Sequence, residues 1–540
     1  MQDYLLHHLL EHSAKQNPEK EAFVYKENSI TYEELEKKSS GLALKLLQMG
    51  VKRGDRIGIF LGKSLEMIIS LFGILKAGGI YVPIDPAAPV NRVAFIVNHC
   101  GIECLIATSS NLEKLFSGFH GKLAVKRAVI VGLDDRGAFR NNISGERLPW
   151  NEAFDVLNSE PPYFDVSDTS PAYILHTSGS TGNPKGVVLS HLNALSFVKM
   201  AADFFHITPA DRICNHAPLH FDLSVFDIFV GVRSGATVML LPEIYSAFPV
   251  KLSEYIEKEE ISIWNSVSSV LALLVDKGSL GNFNFDSLRI VHFSGDIMPV
   301  KVLRILKRFI RNASFYNIYG QTEANSSIYY HVREIPEADS WRIPIGKPFP
   351  NFDVFALNDT QEMISQPGEE GELYVGSSTV ALGYWNADSM TIEKFVPDPR
   401  YPSLKKNVYK TGDLVRMDEH GNFIFTGRKD QMVKSRGYRI ELEEIETVLS
   451  DHPGIKNAVV IPIPDELIGN RIFAVVVPVS RGTININQEE IVLHCAALLP
   501  KYMIPERIDF HDSLPKTSGG KIDRKKIRDM VSKAIHHTDT

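Results

Sequence analysis

Hydroxyl side chains and glycines crowd one short stretch of the chain, which reads YILHTSGSTGNPKGVVLS from Tyr173 to Ser190. Glycine lets backbone amides converge without interference from a Cβ atom, and convergent amides bind phosphate oxygens. Lys185 would add a point charge to them. The spacing does not satisfy GxxxxGK(S/T), the pattern of the common nucleotide-binding loop. Taken alone, the stretch therefore predicts either a mobile phosphate-binding loop or a flexible surface turn.

The hydrophobic pattern around this loop predicts an α/β architecture. Apolar segments alternate with amphipathic ones, as in DRIGIFLGKSLEMIISLFGILKAGGIYVPID, which reads as strand, helix and strand. That rhythm implies parallel sheets with helices on their faces. From about Glu369 the chain changes to short strands with glycine turns, which is typical of a compact β subdomain. A charged turn from Arg428 to Gln431 then separates further helices and strands, and it indicates a domain boundary.

We therefore predict two domains in this chain of 540 residues. Residues 1–429 would form a large N-terminal domain of two α/β subdomains and a small β subdomain. Residues 430–540 would form a small, mobile α+β C-terminal domain. At about 150 residues per unit, a chain of this length is expected to contain roughly three to four domains or subdomains in total.

The bulk composition excludes several classes of protein. A hydrophobic fraction of 44%, a charged fraction of 23% and a formal net charge of −7 describe a globular protein without the basic clusters of a nucleic-acid binder. The chain contains neither a cleavable leader pattern at its N-terminus nor a run of about 18 uncharged apolar residues, so we expect a cytoplasmic protein without membrane insertion. We interpret the cysteines as reduced core thiols. They are Cys100, Cys104, Cys214 and Cys495.

The chain also contains several further motifs in a fixed order, the first before this loop and the others after it. They read LKAGGIYVPIDP, HFDLSVFDIF, NIYGQTEAN, GELYVGSSTVALGYW, YKTGDL, GRKDQMVKSRGYRIELEEIE, LPKYMIP and LPKTSGGKIDR. Across essentially its whole length the chain resembles the adenylate-forming superfamily of enzymes. The resemblance is to the amino-acid adenylation domains of non-ribosomal peptide synthetases and to stand-alone relatives, the D-alanine and L-proline carrier-protein ligases. It implies two steps, in which ATP activates a carboxylic acid as an acyl-adenylate and a thiol then takes the acyl group.

The resemblance implies ATP and Mg²⁺ as cofactors and assigns residues to both. Glu323 would be the carboxylate ligand of Mg²⁺, and Thr322 beside it would contact the α-phosphate. Tyr319 would stack on adenine, while Asp413 and Arg428 would bind the ribose hydroxyls. The phosphate loop would contribute Thr177, Ser178, Gly179, Ser180, Thr181, Gly182 and Lys185. The base would also be lined by Gly295, Asp296, Asn317 and Gly320.

A further implication concerns movement of the C-terminal domain. Lys521 would contact the substrate carboxylate and the bridging oxygen in the adenylating arrangement only. Asp430 would be the hinge about which the domain rotates. After rotation, the face near Lys434 and Gly437 would replace Lys521, and Gly437 would line a tunnel for the thiol-bearing arm.

The resemblance also places an amino-acid pocket. Asp222 falls where amino-acid adenylation domains bind the α-ammonium group, and a carboxylate facing an apolar pocket needs such a cation. His220 would gate the approach of the carboxylate, although a packing role is equally compatible with its position. The remaining lining residues would be Leu223, Phe226, Asn265, His292, Ser294, Ile318, Ser326 and Ser327, with Lys521 at the carboxylate. Because this set offers no partner for a long charged side chain, we expect a small neutral amino acid such as Ala, Gly, Ser, Cys or Pro.

We expect a stand-alone enzyme whose acceptor is the phosphopantetheine arm of a separate acyl or peptidyl carrier protein, since neither an LGGxS nor an HHxxxDG motif occurs. Two alternatives stay open. One is an acyl-CoA ligase for a non-amino acid, and the other is a catalytically silent ATP-binding regulator. Three residues depart from the family pattern. Gln321 stands in place of proline, Leu382 in place of arginine and Glu443 in place of glycine.

Overall fold

The computed structural model describes residues 3–132, 146–154, 165–179, 182–339, 341–404, 406–479, 486–516 and 522–538. It confirms the predicted α/β fold with a large N-terminal and a smaller C-terminal domain. Within those ranges, no helix is both long and apolar enough to cross a membrane. All of the cysteines are buried and free, as predicted.

Two large sheets form the body of the N-terminal domain. In spatial order, one contains Lys347–Pro348, Asn325–Val332, Ser314–Gln321, Ile290–Ser294, Ile263–Val267, Arg212–Asn215, Thr237–Leu240, Glu21–Tyr25 and Asn28–Thr31. The other contains Gly383–Tyr384, Lys185–Ser190, Pro171–Thr177, Ile80–Pro83, Arg56–Phe60, Cys104–Thr108, Arg127–Val131 and Arg147–Pro149. Their central strands pair in parallel and are almost wholly buried, because helices cover both faces.

Two smaller sheets follow in the positions that the change in sequence pattern predicts. The β subdomain contains Asp353–Leu357, Glu370–Gly376, Asn407–Met417, Phe395–Pro397 and Phe423–Arg428. The C-terminal domain contains Ile455–Asp465, Gly469–Pro478 and Arg507–Phe510. A short antiparallel pair, Met432–Ser435 with Tyr438–Glu441, lies between the two along the chain.

The helices begin where the sequence offers capping side chains. Thr31 and Ser190 each form a capping box, and Ser64 accepts a hydrogen bond from the amide of Met67. The α-helices are His8–Gln16, Tyr32–Gln48, Leu65–Lys76, Val90–His99, Ser109–Gly118, His191–Phe204, Leu223–Val225, Gly231–Arg233, Pro249–Lys258, Ser268–Lys277, Val300–Phe309, Asp388–Lys394, Leu442–Ser450, Gln488–Leu498 and Arg524–Thr538. Short 3₁₀ segments are Trp150–Phe154, Glu243–Ala247, Leu280–Asn282 and Lys501–Met503, and Phe226–Val230 is a π-helical turn.

The topology places candidate pocket residues on one large sheet and the phosphate-loop stretch on the other. Asn265 and His292 are paired on adjacent parallel strands, so their side chains lie side by side. The antiparallel hairpin formed by Ser314–Gln321 and Asn325–Val332 extends the same sheet edge. The phosphate-loop stretch joins Pro171–Thr177 to Lys185–Ser190 in the other large sheet, where Thr177 pairs with Lys185.

Candidate active site

Thr177 and Lys185 mark the two ends of the phosphate-loop stretch. Thr177 ends its strand, and its buried hydroxyl has no hydrogen-bond partner among the described residues. Gly179 must be glycine, because a Cβ atom there would lie 2.2 Å from the carbonyl oxygen of Asn183. Gly182 has φ +82°, which favours glycine. Ser180 and Thr181, predicted as phosphate ligands, lie outside the described residues.

Glu323 is the charge centre of the site. Its carboxylate is completely buried, lies 3.3 Å from Lys185 Nζ and accepts a hydrogen bond of 2.7 Å from the Tyr384 hydroxyl. Arg439 of the C-terminal domain donates to both carboxylate oxygens at 3.2 Å. Although burial opposes ionisation, the charges of Arg439 and Lys185 hold the pKa of Glu323 below its usual value. Burial also lowers the pKa of Lys185 to about 8.

The C-terminal domain contacts the phosphate-loop stretch directly. The Ser178 hydroxyl donates to the carbonyl oxygen of Arg439 at 2.8 Å, and the amide of Gly179 donates to Glu444 Oε2 at 3.2 Å. The other oxygen of Glu444 accepts a hydrogen bond of 2.6 Å from Arg92. The Glu444 carboxylate thus accepts a hydrogen bond from the Gly179 amide, which the sequence assigns to phosphate. The Arg439 guanidinium binds Glu323, which the sequence assigns to Mg²⁺.

The predicted nucleoside residues form one polar cluster. Asp413 accepts hydrogen bonds from the Tyr319 hydroxyl, from Gln321 Nε2 at 2.9 Å and from Arg428 Nη1. Lys434 Nζ lies 5.9 Å from the centre of the Tyr319 ring, on its face. Gln321, which departs from the family pattern, also donates to the Tyr319 hydroxyl. It therefore strengthens the cluster rather than interrupting it.

Gly295 and Asp296 lie against the loop that carries Gly437. The amide of Gly437 donates to Asp296 Oδ2, and burial raises the pKa of Asp296 to about 6. Gly437 has φ +78°, and a Cβ atom there would lie 2.3 Å from a methyl carbon of Val267. A side chain at this position would separate the two domains.

Asn317 and Gly320 have structural roles on the hairpin. Asn317 Nδ2 donates to the carbonyl oxygen of Pro344 at 2.8 Å. Gly320 follows a register shift, and a Cβ atom there would lie 2.2 Å from the carbonyl oxygen of Asn325. Both residues therefore fix the backbone beside Tyr319.

The junction between the domains is an ion pair. Arg428 Nε and Nη2 donate to the two oxygens of Asp430 at 2.6 and 2.5 Å, and the amide of Met432 donates to the same carboxylate. This geometry ties the last strand of the β subdomain to the first residues of the C-terminal domain. Lys521, predicted to approach the substrate, lies outside the described residues.

Asp222 lies at the edge of an apolar cavity. Its Oδ2 accepts a hydrogen bond of 3.0 Å from the Thr322 hydroxyl, so the residues predicted to bind the ammonium group and the α-phosphate contact each other. Burial raises its pKa, and among the described residues no lysine or arginine forms an ion pair with it. The cavity is lined by Phe197, Phe205, Asp222, Leu223, Phe226, Asn265, His292, Ile318, Asn325, Ser326 and Phe349.

Aromatic side chains close the inner end of this cavity. The ring centre of Phe205 lies 4.3 Å from that of His292 and 5.9 Å from that of Phe349. Phe226 meets His292 edge-on at 5.0 Å. Burial lowers the pKa of His292 to about 3, so its imidazole is neutral near pH 7. Phe205, Phe226 and His292 therefore pack together in one wall of the cavity.

Asn265, which lines the cavity, is positioned by a buried hydrogen-bond network. Its Nδ2 donates to Asp227 at 2.9 Å, and Asn215 donates to the other oxygen of the same carboxylate at 2.9 Å. Burial raises the pKa of Asp227 to about 7. Two predicted pocket residues, Ser294 and Ser327, are buried but are not among the residues that line the cavity.

His220 lines a second cavity, not the first. That cavity also contains Lys63 and Glu243. Burial lowers the pKa of His220 and lowers that of Lys63 to about 8. His220 is two residues before Asp222 in the chain, so neighbouring residues line the two cavities.

Sequence reasoning missed two sets of site residues. Arg439 and Glu444 are within a recognised motif, but their partners depend on how the domains dock. Phe197, Phe205 and Phe349 lie outside every motif, and no local spacing connects them with Phe226. These side chains come together in the tertiary structure, where the helix His191–Phe204 and Phe205 after it pack against the sheet.

A family model described as AMP-binding enzyme matches residues 10–385, and one described as AMP-binding enzyme C-terminal domain matches residues 444–521. The chain is 36% identical to an L-proline--[L-prolyl-carrier protein] ligase of Pseudomonas fluorescens, over 96% of this chain and 98% of that protein. It is 32% identical to the protein of the same name from Streptomyces coelicolor, over 92% and 91%. The fold is similar to that of the Vibrio cholerae adenylation domain AlmE, solved in complex with glycyl-adenosine-5'-phosphate, with a TM-score of 0.83, 23% identity, and coverage of 99% and 98%.

We expect Arg439→Ala to weaken docking of the C-terminal domain, because Glu323 then loses one of its two cations. Breaking a buried ion pair costs about 3–5 kcal/mol, and about 1.4 kcal/mol already shifts an equilibrium tenfold. Limited proteolysis should therefore cleave after Lys429 at least about ten times faster. Arg436→Ala is the matched control, since Arg436 is exposed and pairs with Glu506 inside the C-terminal domain. Equal cleavage rates in the two variants would contradict the docking role.

Proposed function

The chain belongs to the family of AMP-binding enzymes, and we propose that it activates a small neutral amino acid and transfers it to the phosphopantetheine thiol of a separate carrier protein. It is an AMP-forming ligase. The observation that carries the proposal is Asp222, a half-buried carboxylate that lines a largely apolar cavity and accepts a hydrogen bond from the neutral Thr322 hydroxyl. Because burial raises the pKa of this carboxylate, a cation in the cavity would stabilise its ionised form, and an α-ammonium group supplies one.

The size of the cavity narrows the substrate. Phe205, Phe226 and Phe349 close its inner end around a neutral His292, which excludes long and charged side chains. L-Proline stands first among the candidates because two relatives similar over nearly their whole length are L-proline carrier-protein ligases. Glycine, alanine, serine and cysteine also meet the size limit.

The proposed chemistry has two displacements. An oxygen of the amino-acid carboxylate attacks the α-phosphorus of ATP, and pyrophosphate leaves. The thiol sulfur of the carrier arm then attacks the acyl carbon and loses its proton, and AMP leaves. Thr177, Ser178 and Lys185 would hold the departing phosphates, so that their growing charge meets fixed donors. We place this reaction in the cytoplasm, where ATP and a reduced thiol are both available.

Glu323 fits a magnesium site by its chemistry. Mg²⁺ prefers carboxylate oxygens, and Glu323 remains ionised despite complete burial. Arg439 and Lys185 now neutralise this carboxylate, so Arg439 would have to withdraw before a cation could share it. When bound, Mg²⁺ would neutralise phosphate charge.

The proposed nucleoside site uses the cluster around Asp413. Its carboxylate is already oriented by Tyr319 and Arg428, and ribose hydroxyls would donate to its remaining lone pairs. Adenine would pack against Tyr319, beside the turn formed by Gly295 and Asp296.

We further propose that Asp430 is a hinge between residues 1–429 and 430–540. Lys434 lies over the Tyr319 ring and the Gly437 amide donates to Asp296, and these contacts support the proposal that this face replaces Lys521 for thiol transfer. In the adenylating arrangement, rotation at Asp430 would bring Lys521 to the substrate carboxylate. His220 would gate the approach of that carboxylate.

Exchange of labelled pyrophosphate into ATP, dependent on an added amino acid, tests the substrate class. We expect exchange with one or a few small neutral amino acids. In Asp222→Asn, kcat/KM for the amino acid should fall by about 10- to 100-fold with the KM for ATP unchanged, because a hydrogen bond between charged groups is lost. Asp203→Asn, at an exposed carboxylate, is the control. If only carboxylic acids without an amino group support exchange, the protein is an acyl-CoA ligase. If no acid supports exchange, it is a catalytically silent ATP-binding protein.

Phe205→Ala should enlarge the cavity. We expect exchange with leucine to rise at least about tenfold relative to that with the best small amino acid, since each added methylene contributes about 1–3 kcal/mol in such a pocket. Phe355→Ala is the matched control, because Phe355 is buried in the β subdomain, where it stacks on Tyr374 and does not line the cavity. Thermal unfolding of both variants separates altered selectivity from loss of folding. An unchanged preference in folded Phe205→Ala would contradict the size limit.

Lys521→Ala should lower amino-acid-dependent exchange by about 100-fold or more, because a positive donor for the transition state is lost. Transfer from a preformed aminoacyl-adenylate to a thiol should stay within about twofold, since Lys521 acts in the first step only. Lys525→Ala provides the control within the same basic segment. Unchanged exchange in Lys521→Ala would remove this residue from the mechanism.

A further inference from the structure

Three large apolar side chains are exposed close together on the N-terminal domain. Ile244, Phe248 and Val250 have 63%, 55% and 44% of their surfaces exposed. They lie on the 3₁₀ segment Glu243–Ala247 and at the start of the helix Pro249–Lys258. We call this set the apolar ridge. Clustered exposed apolar side chains on a folded protein indicate a contact surface.

The backbone beneath the apolar ridge is firmly held. Tyr245 packs edge-on against Tyr255 with ring centres 5.8 Å apart, and Leu252 is buried in the core. Proline at the first turn of the helix fixes its start. The outward side chains are therefore presented by a rigid support, which lowers the conformational cost of binding a partner.

The apolar ridge adjoins the opening of the second cavity. Glu243, the residue before Ile244, lines that cavity together with His220. On the C-terminal domain, burial raises the pKa of Tyr438, and the charges of Asp85 and Glu243 raise it further. The Tyr438 ring also meets Phe221, which directly precedes Asp222. The apolar ridge therefore adjoins a cavity whose residue His220 packs against Phe221, the residue before Asp222.

We propose that the apolar ridge is the part of the N-terminal domain on which the carrier protein docks. This inference rests on the proposed function, because it requires a protein-borne thiol as the acceptor. A carrier must sit where its arm can enter the cavity, and the apolar ridge borders that entrance. Its position on the larger domain keeps it fixed relative to Asp222 when the C-terminal domain rotates.

The test compares loading of a carrier protein with loading of a small thiol. The probe is a phosphopantetheinylated carrier chosen because the unmodified enzyme loads it, and free pantetheine is the small acceptor. For Phe248→Ser and Ile244→Ser, we expect the KM for the carrier to rise at least tenfold. Amino-acid-dependent pyrophosphate exchange and transfer to free pantetheine should both stay within twofold, since neither needs a docked protein. Ile392→Ser, at a side chain that is 74% exposed on another helix, is the matched control.

Each other outcome overturns the inference. A carrier KM equal to that of the Ile392 control would show that the carrier docks elsewhere. An equal loss with free pantetheine would assign the apolar ridge to the channel and not to docking. A concentration-dependent dimer that Phe248→Ser dissociates, measured by light scattering, would make it a contact between two copies of this chain. Absence of any amino-acid-dependent exchange in the unmodified enzyme would refute the proposed function and this inference with it.

Discussion

The arrangement of the two domains depends on one buried carboxylate. Glu323 is fully buried, and an isolated charge in that position would cost several kcal/mol. Lys185 supplies one compensating cation from the N-terminal domain, and Arg439 supplies a second from the C-terminal domain. Since Lys185 is itself buried and its pKa is lowered to about 8, it does not compensate the charge as fully as an exposed lysine would. The second cation is therefore part of what keeps the domains together.

If Gly179 and Glu323 have the roles that we propose, docking of the C-terminal domain and phosphate binding would compete for the same groups. Glu444 accepts the hydrogen bond of the Gly179 amide, and Arg439 pairs with the acid that we assign to the metal. Phosphate and its cation would need both positions, so they and the docked domain exclude each other. Because such coupling is reciprocal, anything that stabilises docking also favours the departure of pyrophosphate. Such competition would by itself place thiol transfer after adenylation, because the domain would dock in this way only once pyrophosphate has left.

The sequence predicts the fold and most of the pocket for identifiable reasons. The resemblance to adenylation domains places Asn265 and His292 in the pocket, and the structure pairs them on adjacent parallel strands. Phe205 and Phe349 were not predictable in this way, because they reach the pocket from a helix end and a loop far apart in the chain. Ser327 was placed in the pocket by motif position, but its strand directs it into the core. Arg439 could be located in a motif but not given a partner, since that partner belongs to another domain.

Gln321 shows how a departure from a motif can be absorbed by its surroundings. Proline at this position would offer neither a side-chain donor nor an amide hydrogen. Glutamine instead donates to Asp413 and to the Tyr319 hydroxyl, which itself donates to Asp413. The Asp413 carboxylate has about four lone-pair sites, and these contacts leave at least one for a ribose hydroxyl. Orienting the carboxylate before the nucleotide arrives reduces the ordering that binding must impose. With glutamine at position 321, the protein itself therefore orients the Asp413 carboxylate before the nucleotide binds.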